Sequence, residues 1–179
     1  MKSNNLKKVS ISFHSIVSTK LKKKQINEIC LLKDKEWKFG IKSQMNWFDR
    51  NIKRDDIHNL LYINTKLIGY TLLRKRFCKF NNIAKKKIYL LFDTLVIDKK
   101  FRKNNYSTLL MNFNNKIIKK KGFFSFLICK KKLVNFYIKN GWKKLNKNKI
   151  KIIDYKFTTF GMIFNNNKIY KKYFFNLNK

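Results

Sequence analysis

Acidic residues are what this chain has least of. Nine Asp and Glu stand against 44 Lys and Arg, a net charge of +35 over 179 residues. Proline is absent, glycine occurs five times, cysteine three times and histidine twice. Cys30, Cys78 and Cys129 are far apart and form no CxxC pair, and only His14 and His58 could help them, so the sequence offers no zinc site. An odd number of scattered thiols is no disulfide framework either. A reducing compartment is expected, with all three cysteines buried and structural. No apolar run approaches the ~18 residues of a membrane span. The opening MKSNNLKK lacks the apolar centre of a signal peptide, so a cytoplasmic location is expected.

The missing proline and the abundance of Lys, Asn, Ile, Phe and Tyr are what an AT-rich genome would produce. Lysines fall in every segment instead of forming one stripe. The charge therefore leaves two readings open. One is an attractor for RNA or another polyanion, and the other, favoured here, is compositional bias.

What the chain does have is core-forming material. Hydrophobic residues make up 44% and aromatics 16%, enough to exclude disorder despite the charge. The length suits one domain, 1–179. "VSISFHSIV" alternates as a first strand, and Ile26, Ile29 and Leu32 recur at helical spacing. "SQMNWFDRNIK" reads as a second helix with Ser43 as its N-cap. "HNLLYI" and "KLIGYTLLRKRF" form a hairpin about Asn64 and Thr65, Asn81-Asn82 open a turn, and "KIYLLFDTLVID" is a central strand. A helix over 104–121 is expected to bury Leu109, Leu110, Phe113 and Ile117, with Gly122 at its C′ position. "FFSFLIC" is a short buried strand, "KLVNFYIKN" a short helix ended by Gly141, and the tail alternates as two more strands. The expected fold is α+β, a mixed, mostly antiparallel sheet of about seven strands with helices on both faces.

Two stretches carry a resemblance. "LVIDKKFRKNNYS" is a strand running into a basic loop and a helix, and "FSFLIC…NFYIKNGW" is a strand followed by a short helix that ends at glycine. Together with the element order they resemble the GNAT superfamily of acyl-CoA-dependent N-acyltransferases. The likeness is strongest over 58–145, with 1–57 as acceptor-side helices and 146–179 as C-terminal strands. The second motif matches closely. The first keeps Arg102, but Asn105 and Ser107 stand where the family carries glycine and glycine or alanine. A diphosphate cradle needs amides turned outward at a helix N-terminus. Asn is the residue after Gly most tolerant of positive φ, so Asn104 and Asn105 can still build one.

The resemblance implies an N-acetyltransferase that moves an acetyl group from acetyl-CoA to a primary amine by direct attack, without a metal. The acceptor is a small molecule or a macromolecule. The charge hints that it is anionic, and nucleic acid is not the favoured partner. The backbone of Leu95, Val96 and Ile97 would meet the pantetheine and the thioester carbonyl. Arg102, Lys103, Asn104, Asn105, Tyr106 and Ser107 would hold the diphosphate. Tyr137 would be the general acid and Asp93, the one carboxylate inside "YLLFDTLVI", the base through a water. Strict alternation places Asp93 on one face with Leu95 and Ile97. The rival reading of Asp93 is a carboxylate paired with a neighbouring Lys or Arg. The rival reading of the whole is an inactive GNAT-like basic module that binds RNA.

Overall fold

The computed structural model describes residues 9–80, 83–153, 155–156, 158–166 and 170–178. The expected turn at Asn81-Asn82 lies outside them. Among the described residues nine strands form one sheet: β1 (Ile11–Val17), β2 (Ile57–Ile63), β3 (Lys66–Phe80), β4 (Ile83–Ile97), β5 (Ser125–Cys129), β6 (Lys143–Lys144), β7 (Ile150–Ile152), β8 (Phe160–Phe164) and β9 (Tyr173–Phe175). The helices are α1 (Lys23–Trp37), α2 (Ile41–Asn51), α3 (Tyr106–Lys121) and α4 (Val134–Lys139).

The main path runs β1-β2-β3-β4-β5-β8-β6, with β9 beside the far end of β3 and β7 beside β9. Every pair is antiparallel except β4 with β5 and β7 with β9. The sheet is mixed and mostly antiparallel with helices on both faces, as expected. It has nine strands instead of seven because the tail breaks into four short pieces.

One face carries α1 and α2 over Leu60, Tyr70, Leu72 and Val96. The other carries α3 and α4 over Leu73, Leu90, Phe92 and Leu127. The close approach of α3 depends on Gly69 of β3. A Cβ there would lie 2.8 Å from Ile97 Cδ1 and 3.1 Å from Leu110 Cδ2.

Three local readings need correction. The second helix starts at Ile41 with Gly40 (φ 84°) as its N-cap, so Ser43 lies inside the first turn. Asp34 Oδ1 fixes the Gly40 amide at 2.7 Å, and that tertiary contact sets the boundary. The buried stripe of α3 is Leu110, Met111, Asn114, Asn115 and Ile118, while Leu109 is exposed. Two asparagines can be buried because each is hydrogen-bonded: Asn59 and Thr71 donate to Asn114 Oδ1, and Trp142 Nε1 donates to Asn115 Oδ1. Gly122 ends α3 in the left-handed region, as expected.

The third correction concerns Asp93. Leu72 pairs with Thr94 and Leu73 with Phe92, so Asp93 is an extra residue on β4, a β-bulge. An extra residue shifts the two-residue period by one. Before it, Leu90 and Phe92 face α3 and α4. After it, Leu95 and Ile97 face α3. Asp93 turns the other way, toward α2.

Candidate active site

β4 and β5 lie in register at only two pairs, Leu90 with Ser125 and Leu91 with Phe126. Beyond them β5 continues against β8, and Leu95–Ile97 keeps only its β3 partners. The two parallel strands therefore splay, and one edge of Leu95–Ile97 has no strand neighbour among the described residues. A cleft of about 710 Å³ opens there.

Its walls come from five places. Leu95, Val96 and Ile97 form the β4 side. Phe101, Arg102 and Lys103 come from the loop, and Asn105, Tyr106 and Ser107 from the start of α3. Lys132, Leu133, Phe136 and Tyr137 line the far side, and Glu36 reaches in from the last turn of α1.

The loop turns sharply between β4 and α3. Asp98 ends β4 and accepts from the Lys100 amide at 3.1 Å, which starts the turn. Burial pushes the Asp98 pKa up, but the Lys100 amide and the Lys35 ammonium outweigh it and the net shift is downward. Asn105 sits at φ 59°, the left-handed conformation a glycine would take, and no side chain caps the helix behind it. The second positive φ of the loop, 70°, belongs to Lys103 and not to Asn104. That conformation is less natural for lysine and holds the loop at some local strain. The first residues of α3, Tyr106 and Ser107, line the cleft at the positive end of the helix dipole.

Tyr137 lines the cleft from α4 and is only 6% exposed. Its ring packs edge-on against Phe92, Trp142 and Phe136. Burial pushes its phenol pKa above the ordinary value, with the Cys129 thiol adding to the shift. The hydroxyl stays protonated at neutral pH, so it can donate a proton.

Nine of the eleven residues singled out from the sequence line this cleft: Leu95, Val96, Ile97, Arg102, Lys103, Asn105, Tyr106, Ser107 and Tyr137. Asn104 is in the loop, exposed, and off the lining. Asp93 is also off the lining. Its carboxylate accepts from Arg74 Nη1 at 2.8 Å, on the α2 side of β4. Lys33, only 6% exposed, lies over Trp47 on that same side, and burial lowers its pKa. Asp93 therefore sits among cations and not in the apolar surroundings its sequence context suggested. Sequence reasoning missed Glu36, Phe101, Lys132, Leu133 and Phe136. Leu133, Phe136 and Tyr137 share a helical stripe that could have flagged two of them. Nothing in the sequence ties Glu36 to this loop.

Solved structures share this fold. An acyl-CoA N-acyltransferase from Pseudomonas aeruginosa superposes at a TM-score of 0.63 with 13% identity, covering 86% of this chain and 99% of the other. ElaA from Escherichia coli gives 0.59 and 16%, covering 86% and 99%. The PaiA N-acetyltransferase of Thermoplasma acidophilum, solved with coenzyme A, gives 0.54 and 20%, covering 86% and 98%. This chain has the GNAT fold. No protein-family model matches the sequence, and a search of curated proteins finds no match. At these identities the likeness concerns the GNAT fold alone. Among the described residues no cluster of His, Cys, Asp and Glu could hold a metal ion. No helix among them is long and apolar enough to cross a membrane.

Proposed function

We propose that the protein is an acyl-CoA-dependent N-acyltransferase, with the whole chain acting as one GNAT domain. It moves an acetyl group to a primary amine by direct attack. The observation that carries this reading is the splay between β4 and β5, with the uncapped start of α3 and Tyr137 both lining the cleft.

The residues fit an acyl-CoA donor. The start of α3 with Asn105, Tyr106 and Ser107, flanked by Arg102 and Lys103, has the charge and amide geometry for a diphosphate. The open edge of Leu95–Ile97 offers main-chain groups to a pantetheine arm, as to an added strand. Acetyl-CoA supplies an activated thioester carbonyl, and a β4 amide at Leu95 or Val96 polarises it in this reading. The amine nitrogen bonds to the acyl carbon and the carbon–sulfur bond breaks. Tyr137 donates its hydroxyl proton to the leaving sulfur. The amine approaches from the α2 side of β4, where Asp93, its carboxylate held by Arg74, takes the amine proton through a water.

The test is a thermal-shift measurement with acetyl-CoA followed by thiol release across amine classes. A raised Tm and amine-dependent thiol release are expected. A folded protein whose Tm ignores acetyl-CoA, and which releases no thiol with any amine, refutes the reading.

A further inference from the structure

Among the residues lining the cleft, Glu36 is the one carboxylate. It stands on the last turn of α1 and ion-pairs with Arg102 Nη2, at the mouth of the loop just assigned to a diphosphate. A negative charge at that place opposes an anionic ligand. The Arg102 guanidinium is held at Nε, which donates to the Ile97 carbonyl at 3.1 Å. That bond restrains the group, while its Nη atoms can exchange one acceptor for another. Lys103 and Lys132, the other cations of the lining, make no ion pair among the described residues.

We propose that Glu36 and the diphosphate of the acyl donor compete for Arg102. Donor entry then exchanges one ion pair for another, and Glu36 sets the affinity. This rests on the acyl-CoA reading above. The exchange need not undock α1, because Lys35 on the same turn holds Asp98 Oδ2 at 3.1 Å. The side chains of Arg102 and Glu36 are 42% and 30% exposed, so water screens the pair and the effect is modest. An exposed pair of this kind converts to about a two- to fivefold change in Kd.

The experiment is calorimetric titration of coenzyme A into the wild-type protein, Glu36→Gln and Glu36→Ala, each first shown to be folded by circular dichroism. Both variants should bind about two- to fivefold more tightly at low salt, with the gap closing as salt rises. In an Arg102→Ala background, Glu36→Gln should give almost no gain. Equal or weaker binding by the Glu36 variants overturns the competition. So does an undiminished gain without Arg102, which would mean plain repulsion. Failure of every folded protein to bind coenzyme A overturns the acyl-CoA reading and this proposal with it.

Discussion

Removing the hydroxyl of Tyr137 separates chemistry from packing at this site. Tyr137→Phe keeps the ring that packs against Phe92, Trp142 and Phe136. The hydroxyl makes no hydrogen bond to the described residues, so its loss strands no protein partner. Stability should change by less than about 1 kcal/mol. A general acid contributes about 10² to 10⁴ in rate, or roughly 3–5 kcal/mol of barrier. The variant's kcat should fall by that factor while its Kd for acetyl-CoA stays within about twofold. Tyr137→Ala would instead destabilise by about 3–5 kcal/mol, through the cavity left in the core. The assay is thiol release at saturating acetyl-CoA, beside urea melts of all three proteins. The pH profile adds a second check. Because burial raises the folded-state pKa above that of an ordinary phenol, no alkaline limb from Tyr137 should appear below pH ~10. Its contribution to stability is complete below that pH and is lost as pH rises, when the unfolded phenol ionises first. Wild-type turnover by Tyr137→Phe would remove the proposed acid.

Asn105→Asp places a negative charge at the start of α3 and should weaken coenzyme A binding, whereas Asn105→Gly keeps the left-handed turn and the affinity; equal titration curves for all three proteins would refute the cradle. Asp56→Asn should destabilise by about 3–5 kcal/mol in urea melts, because Asp56 and Arg76 are both fully buried and their ion pair is 3.0 Å long. His58 is buried between Ser18 and Tyr70, and burial lowers its pKa from 6.5 to about 3. Ser18 donates its hydroxyl to the Asp56 carbonyl, so His58 Nε2 donates to Ser18, and Nδ1 accepts from Tyr70. Below pH 6.5 the unfolded chain takes up a proton that the folded chain refuses, so stability falls on acidification by about 1.4 kcal/mol per pH unit. Melts of the wild type and His58→Gln between pH 7 and 4 check this, and a variant that loses stability as steeply as the wild type would disprove it.

Much of the architecture was legible because it rests on local chemistry. The hairpin turned where Asn64 can take positive φ, and α3 stopped at Gly122 for the same reason. The loop after β4 was recognisable from Arg102 and the small polar residues behind it. Errors arose where distant contacts overruled a local pattern. Ser43 looks like a cap, but Asp34 reaches Gly40 first. Leu109 looks like core, yet Asn114 and Asn115 take its place because β2, β3 and Trp142 supply their hydrogen bonds.

Asp93 shows the boundary most clearly. By itself the sequence determined that one carboxylate would sit in the central strand, that a basic loop would follow, and that a Tyr on a short helix would come later. Those facts depend on residue type and on spacing within one segment. Only the tertiary structure decided that Asp93 would bulge out of register toward Arg74, that β4 and β5 would part after two pairs, and that Glu36 would meet Arg102. Strand register and helix docking are set by pairing between segments far apart in the chain, and no single-segment pattern carries that information.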